Sequence, residues 1–119
     1  MRLTRKLTNV PAIRSHSTGT SDAAWDGNAN KSRVRSGEDI AYYSKIFAWR
    51  DPDGAEDVKE TYRFIHHFVA EDGEPGDAST RACSSAIGVL NGARGGTTIP
   101  DSDREGVHAH LARHLKDAG

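Results

Sequence analysis

The stretch TRACSSAIGVLNGARGGTTIPDSDREGVHAHLARH, residues 80–114, decides the fold. Its first third carries apolar residues at three- and four-residue spacing, which places them on one face of a helix: Cys83, Ala86, Ile87 and Leu90. Asn91 and Gly92 follow, at the position where a chain takes a positive φ to end a helix. These signals predict a first helix that is capped by Asp77 or Ser79 and ends at the glycine-rich break.

A second helix is predicted after Pro100, with Asp101 and Ser102 as candidate N-caps. Its apolar residues recur every four positions and so share a face: Val107, Leu111 and Leu115. Two apolar faces joined by a short break predict a helical hairpin packed face to face. We expect this hairpin to form the core and to bury Cys83, the one cysteine, as a small hydrophobic residue.

Upstream of the hairpin, the sequence predicts one more helix and one strand. Residues 36–49 carry an apolar stripe and end at the turn Asp51-Pro52-Asp53-Gly54, which indicates a helix. Residues 61–69 are rich in aromatic and β-branched residues and precede a turn, which indicates a strand. Trp25 lies in a polar segment before an Asp-Gly turn signal, and we expect its ring to pack against the hairpin. The predicted fold class is α+β: a small, mainly helical domain with an extended N-terminal arm.

Composition and charge support that division. Of the 119 residues, 35% are hydrophobic and 28% are charged, so one small domain can bury only a modest core. Residues 1–35 hold seven basic and two acidic residues, a net charge of +5, and the rest must carry −6 to reach the total of −1. We therefore predict a basic arm over residues 1–20 and a compact domain over residues 21–119. No apolar run approaches the roughly 20 residues of a membrane span, so we expect a soluble, intracellular chain.

The histidines invite a metal-site interpretation, which the sequence pattern does not favour. His110 and His114 are four residues apart and share a helix face, as ligands on a helix do. Adjacent strand residues such as His66 and His67 point to opposite faces, so at most one of them could join that pair. The helix histidines flank Leu111, where a ring packs at the boundary and its tip hydrogen-bonds. We therefore predict structural histidines, no metal and no cofactor.

Catalysis and ligand binding receive little support from the remaining motifs. Ser84 and Ser85 lie in mid-helix, and Cys83 is expected to be buried, so no nucleophile is predicted. Residues 91–96 could bind an anion through backbone N–H groups. They lack the preceding strand and the Lys-Ser/Thr ending of a phosphate-binding loop, and a helix stop explains the glycines. We expect a protein that is not an enzyme.

Several short motifs follow one another from Trp25 to the C-terminus: Trp25-Asp26-Gly27-Asn28-Ala29, Tyr62-Arg63-Phe64-Ile65-His66-His67 before Asp72-Gly73, the run from Ala86 to Gly96, Ile99-Pro100, and the run from His110 to Leu115. In this order and spacing they resemble a small module of tailed-bacteriophage head genes, found appended to capsid maturation (prohead) proteases and in related head proteins. The protease nucleophile and its domain are absent. The resemblance therefore implies association with the phage head and not proteolysis.

A free-standing copy with a basic arm is similar in layout to a head decoration (cement) protein. The resemblance implies a virion protein on the outer capsid surface, made in the host cytoplasm, that bridges subunits of the major capsid protein and contacts other copies of itself. Capsid-binding residues are then expected in the arm: Arg2, Leu3, Arg5, Lys6, Leu7, Val10, Ile13 and Arg14. The alternative is a DNA-binding or packaging accessory protein that uses the same arm, although the acidic body argues against nucleic acid as the partner.

Overall fold

A computed structural model describes residues 12, 13, 16, 18–92 and 96–119 of the chain. These residues form an α+β fold with four α-helices and five short strands in two small sheets, which confirms the predicted fold class. In chain order the elements are β1 (Thr20–Ser21), α1 (Gly27–Arg33), α2 (Ile40–Ser44), β2 (Trp49–Arg50), a 3-10 turn (Lys59–Thr61), β3 (Tyr62–Arg63), β4 (His67–Val69), β5 (Pro75–Ser79), α3 (Thr80–Leu90) and α4 (Asp101–Asp117). Within the described part of the chain, no helix has the length and apolar character to cross a membrane.

The predicted helical hairpin is confirmed as the pair α3 and α4. Ser79 caps α3, because its Oγ accepts a hydrogen bond from the Ala82 N–H at 3.0 Å. Gly92 follows the end of this helix with a φ of 102°, a conformation that glycine adopts without steric cost. The predicted caps of α4 are wrong: Asp101 is already helical, and Pro100 occupies the cap position without a side-chain hydrogen bond.

The hairpin encloses the first of two apolar cores. Cys83, Val107 and Leu111 are fully buried there, as predicted, and Leu115 packs against them half-buried. Ala12 and Trp49 complete this core from outside the hairpin, and the Trp49 indole N–H donates to the Asp103 carboxylate of α4 at 2.9 Å. The hairpin therefore shares its core with the N-terminal segment of the chain.

The predicted strand over residues 61–69 is wrong, because the chain breaks at Phe64. Phe64 has a φ of 65°, in the left-handed region that non-glycine residues rarely adopt. Before the break, β3 pairs antiparallel with β2; after it, β4 pairs antiparallel with β5 in the other sheet. One apolar run thus supplies strands to two different sheets.

The predicted helix over residues 36–49 is much shorter. Asp39 caps α2 by accepting from the Tyr42 N–H at 3.0 Å, and the helix ends at Ser44. The chain then turns into β2, because Trp49 and Arg50 pair with β3. The apolar stripe is nevertheless buried, and it forms the second core with the neighbouring strands: Val34, Tyr42, Tyr43, Ile46, Phe47, Tyr62 and Val69.

Trp25 does not pack on the hairpin as predicted. Its ring meets Phe68 of β4 edge to face, with ring centroids 5.3 Å apart. The residues after it form α1, a helix that the sequence analysis missed, and Asp26 caps it by accepting from the Ala29 N–H. The buried Asn30 side chain then accepts from the Val69 N–H at 2.8 Å, which ties α1 to the sheet.

The described residues of the N-terminal segment lie against the body. Ala12 forms an antiparallel bridge with Trp49, and the Ile13 N–H donates to the Ala48 carbonyl at 3.0 Å. Further on, β1 pairs in parallel with β5. Ile13, one of the predicted capsid-binding residues, is half-buried against the second core. The other seven predicted capsid-binding residues lie outside the described residues: Arg2, Leu3, Arg5, Lys6, Leu7, Val10 and Arg14. Residues 93–95 of the glycine-rich break also lie outside them.

Candidate metal centre

Five histidine rings from three distant parts of the chain meet in one place. His16 comes from the N-terminal segment, His66 and His67 from the start of β4, and His110 and His114 from α4. Eight pairs of their ring centroids lie 4.6 to 5.4 Å apart. All except the half-buried His16 are fully buried. The sequence analysis did not predict this cluster.

The prediction that His66 and His67 point to opposite faces is wrong. That prediction assumed a regular strand, in which side chains alternate. The left-handed turn at Phe64 ends β3, and His66 lies in the irregular segment before β4. Its backbone bridges two elements instead, since its N–H donates to the Ile46 carbonyl and its carbonyl accepts from the Ser79 N–H. Both rings can therefore turn into the same cluster.

The prediction of boundary positions for His110 and His114 is also wrong. Both rings are fully buried beside Val107 and Leu111, so the buried face of α4 is wider than the apolar residues alone indicate. His108 lies on the other side of the helix and is exposed. This exposed histidine provides an internal control for the buried ones.

Backbone carbonyls fix the tautomers of three of the rings. The Nδ1 atoms of His66, His67 and His110 lie 2.9, 2.8 and 2.7 Å from the carbonyl oxygens of Phe64, Gly76 and Ile13, respectively. A carbonyl oxygen can only accept, so each Nδ1 carries the hydrogen and donates it. In the neutral form of such a tautomer, Nε2 presents a lone pair.

The Nε2 atoms face one another across the cluster. His66 Nε2 lies 3.0 Å from His110 Nε2, and His16 Nε2 lies 3.4 Å from His67 Nε2. His114 is fully buried, and neither of its ring nitrogens has a hydrogen-bond partner among the described residues. A buried polar group without a partner costs about 1–3 kcal/mol. Among the described residues, the cluster therefore brings several histidine nitrogens together and leaves those of His114 without partners.

Burial favours the neutral form of four of these rings, those of His16, His66, His67 and His114. It lowers the pKa of His66 well below its ordinary range, and the neighbouring rings of His67 and His110 add to the effect. Burial also lowers the pKa of His67 and of His114 to about 4 and lowers that of His16. Neutral imidazole is the form that coordinates metal ions.

The arrangement suits a metal ion better than it suits a reaction. One ligand atom from each of His16, His66, His67 and His114 lies within 4.8 Å of the others. Four protein ligands would close a tetrahedral site and leave no position for a substrate. Of the four, His16 belongs to no recognisable motif, and only the number of histidines, six in 119 residues, hinted at a cluster.

No protein-family model, curated protein or solved structure matches the chain.

Proposed function

We propose that this chain is a bacteriophage head decoration (cement) protein, which binds the capsid shell through its basic N-terminal arm and stabilises it without catalysis. The proposal starts from the resemblance of residues 25–119 to the phage head module. The observation that carries it is the fixed point at which the arm meets the body. Ile13 is hydrogen-bonded on both sides, since its N–H donates to the Ala48 carbonyl and its carbonyl accepts from His110.

A fixed attachment point makes a gripping arm effective. The residues before Ala12 start from a defined place on the body, so their contacts with a neighbouring subunit also fix the body on the shell. Leu3, Leu7 and Val10 would anchor the arm, and Arg2, Arg5 and Lys6 would lie on acidic capsid surface. An added strand binds through backbone hydrogen bonds, and many linked copies on one particle resist release together.

The buried groups of the body favour a non-catalytic role. Cys83 is fully buried, and burial raises the pKa of its thiol to about 12, so it is a poor nucleophile. The Ser79 hydroxyl is engaged in capping α3. The histidine cluster has no exposed face apart from the half-buried His16, so general acid or base chemistry on a bound substrate has little access to it.

DNA binding through the same arm is the second candidate, favoured by the charge of +5 in residues 1–35. The two functions differ in their salt dependence. Duplex binding through 6–10 phosphate contacts weakens by about 10³–10⁵ between roughly 50 and 200 mM salt. Attachment by strand addition and apolar anchors should change little over that range.

The test is co-sedimentation of the purified protein with heads assembled from the cognate major capsid protein. We expect saturable binding at a fixed copy number, with little change between low and moderate salt. A Leu3→Ser, Leu7→Ser double variant should lose attachment. Val58→Ser is the matched control, because Val58 is an exposed apolar residue of the body, and it should bind like the unmodified chain.

Equal attachment of the double variant would contradict the role of the arm. Absence of any binding to heads, together with salt-sensitive binding to duplex DNA, would replace the decoration function with the second candidate.

A further inference from the structure

The described histidine nitrogens bring several lone pairs into one small volume. His66 and His110 both donate from Nδ1 to backbone carbonyls, yet their Nε2 atoms lie 3.0 Å apart. Two neutral rings in these tautomers would direct lone pairs at each other at hydrogen-bond distance. Either a shared proton or a metal cation would remove this repulsion.

A proton is the weaker of the two explanations. One proton between His66 and His110 would leave both nitrogens of His114 without a partner among the described residues. A metal ion takes up several lone pairs at once, so one ion held by His66 and His114 would engage the His66 Nε2 atom and one nitrogen of His114.

We propose that His16, His66, His67 and His114 form a tetrahedral zinc site. Zinc takes histidine nitrogens at about 2.0–2.1 Å, which places neighbouring ligand atoms about 3.4 Å apart in a tetrahedron. His16 Nε2 and His67 Nε2 already stand at 3.4 Å, and all four ligand atoms lie within 4.8 Å of one another. Binding of the ion would draw the more distant of these atoms toward that spacing.

The surroundings of the four rings match those of known metal ligands. Ligating histidines usually donate their other ring N–H to a carbonyl or carboxylate, which fixes the tautomer and the ring orientation. His66 and His67 do this through Phe64 and Gly76. His110 lies beside His66, with the two Nε2 atoms 3.0 Å apart, and its Nδ1 donates to the Ile13 carbonyl.

The charge of the ion is partly offset by the protein. His114 lies in the last turn of α4, where the carbonyl end of the helix favours a cation. Imidazole ligands suit zinc, copper, iron and nickel, and a tetrahedral arrangement favours zinc over the square-planar preference of copper(II) and nickel(II).

Such a site has a structural role. Four protein ligands leave no open position, which is the pattern of structural rather than catalytic zinc. The ion would connect the N-terminal segment, the start of β4 and the C-terminal helix. This inference does not depend on the function proposed above, since zinc binding and attachment to heads are measured separately.

The test uses the untagged, full-length protein, stripped with a chelator and titrated with Zn²⁺. We expect one ion per chain and a rise in Tm of about 10 °C or more at a roughly hundredfold excess over Kd. Co²⁺ in place of zinc should give the intense visible absorption of a tetrahedral complex. His16→Gln and His114→Leu should each weaken zinc binding by about 100-fold or more. Removing a residue that only hydrogen-bonds a ligand costs less, about 10–100-fold.

His108→Gln is the matched control, because it removes an exposed histidine of the same helix, and its affinity should stay within about twofold. The folded protein taking up no zinc would overturn the proposal. Unchanged affinity in His16→Gln and His114→Leu would also overturn it, as would a large loss in His108→Gln. The ¹⁵N spectra of the metal-free protein at pH 7 test the alternative. If they show a proton shared by His66 and His110 and do not change when zinc is added, a proton and not a metal ion occupies the cluster.

Discussion

Replacing His114 with leucine should make the metal-free protein more stable. Both ring nitrogens of His114 are buried without partners among the described residues, and each such group costs about 1–3 kcal/mol. Leucine has no polar atoms and fills a similar volume, at a shape cost of up to about 1.5 kcal/mol. The two groups together cost about 2–6 kcal/mol, so the net expectation for His114→Leu is a gain of at least about 0.5 kcal/mol in the free energy of unfolding. Each kcal/mol raises Tm by about 3–6 °C in a chain of 119 residues.

The assay is urea unfolding with a chelator present, followed by circular dichroism and repeated with excess zinc. In chelator, the midpoint should rise at an unchanged m-value, which indicates a change in stability and not in the unfolded state. In zinc, the unmodified protein should gain stability and His114→Leu should gain almost none. The order of stability of the two proteins should therefore reverse when zinc is added.

His108→Leu serves as the control, because His108 is exposed on the same helix and its replacement should change stability by no more than about 0.5 kcal/mol. The reasoning is refuted if His114→Leu is less stable than the unmodified protein in chelator by more than about 1 kcal/mol. That result would mean that the imidazole stabilises the fold without any ion.

Four further outcomes are expected. Leu111→Asp should prevent folding, because it places a carboxylate in the core of the hairpin, and a native-like circular dichroism spectrum would contradict this. The Cys83 thiol should react with thiol reagents only on unfolding. Because folding raises its pKa from 9.0 to about 12, its ionisation should also lower stability progressively as pH rises from about 9, measured by alkaline unfolding with Cys83→Ala as the reference. Gly106→Ala should speed hydrogen exchange at the Ile13 amide and leave α4 protected, because the new Cβ would lie 2.7 Å from the Ala12 Cβ. Unchanged exchange would show that the segment around Ala12 shifts aside and keeps the Ile13 hydrogen bond. Deleting residues 1–10 should leave a folded body that no longer sediments with heads. If the shortened protein still bound heads at the full copy number, the arm would not be the attachment site.

The helical hairpin was predictable because its signals are local and agree with one another. Ser79 caps α3, Gly92 follows its end, and Val107 and Leu111 mark the buried face of α4. Each signal lies within a few residues of the element it defines. Helices of this kind are therefore accessible to reasoning from sequence.

The strands and the histidine cluster were not predictable from local patterns, for one shared reason. Phe64 adopts a left-handed conformation that its residue type does not suggest, and this break sends one apolar run into two sheets. Once the strand is broken, the alternation argument that separated His66 from His67 no longer applies. His16 enters the cluster through tertiary contacts alone, which no sequence spacing encodes.

Short local signals also misplaced the ends of other elements. Residues 36–49 read as one helix by apolar spacing, but Trp49 and Arg50 gain a strand partner in β3, so the tertiary pairing outweighs the helical pattern. The helix α1 was missed because Gly27 and Asn28 are poor helix formers, and its stability comes instead from the Asp26 cap and the contact of Asn30 with Val69.

The hydrogen bond between His110 and the Ile13 carbonyl spans 97 residues of sequence, and this long separation bears on synthesis. A nascent chain cannot close this contact until α4 has left the ribosome, although Ala12 and Ile13 can already pair with Trp49 and Ala48. A chain interrupted before residue 110 would therefore keep that pairing but lack the His110 contact and the complete histidine cluster.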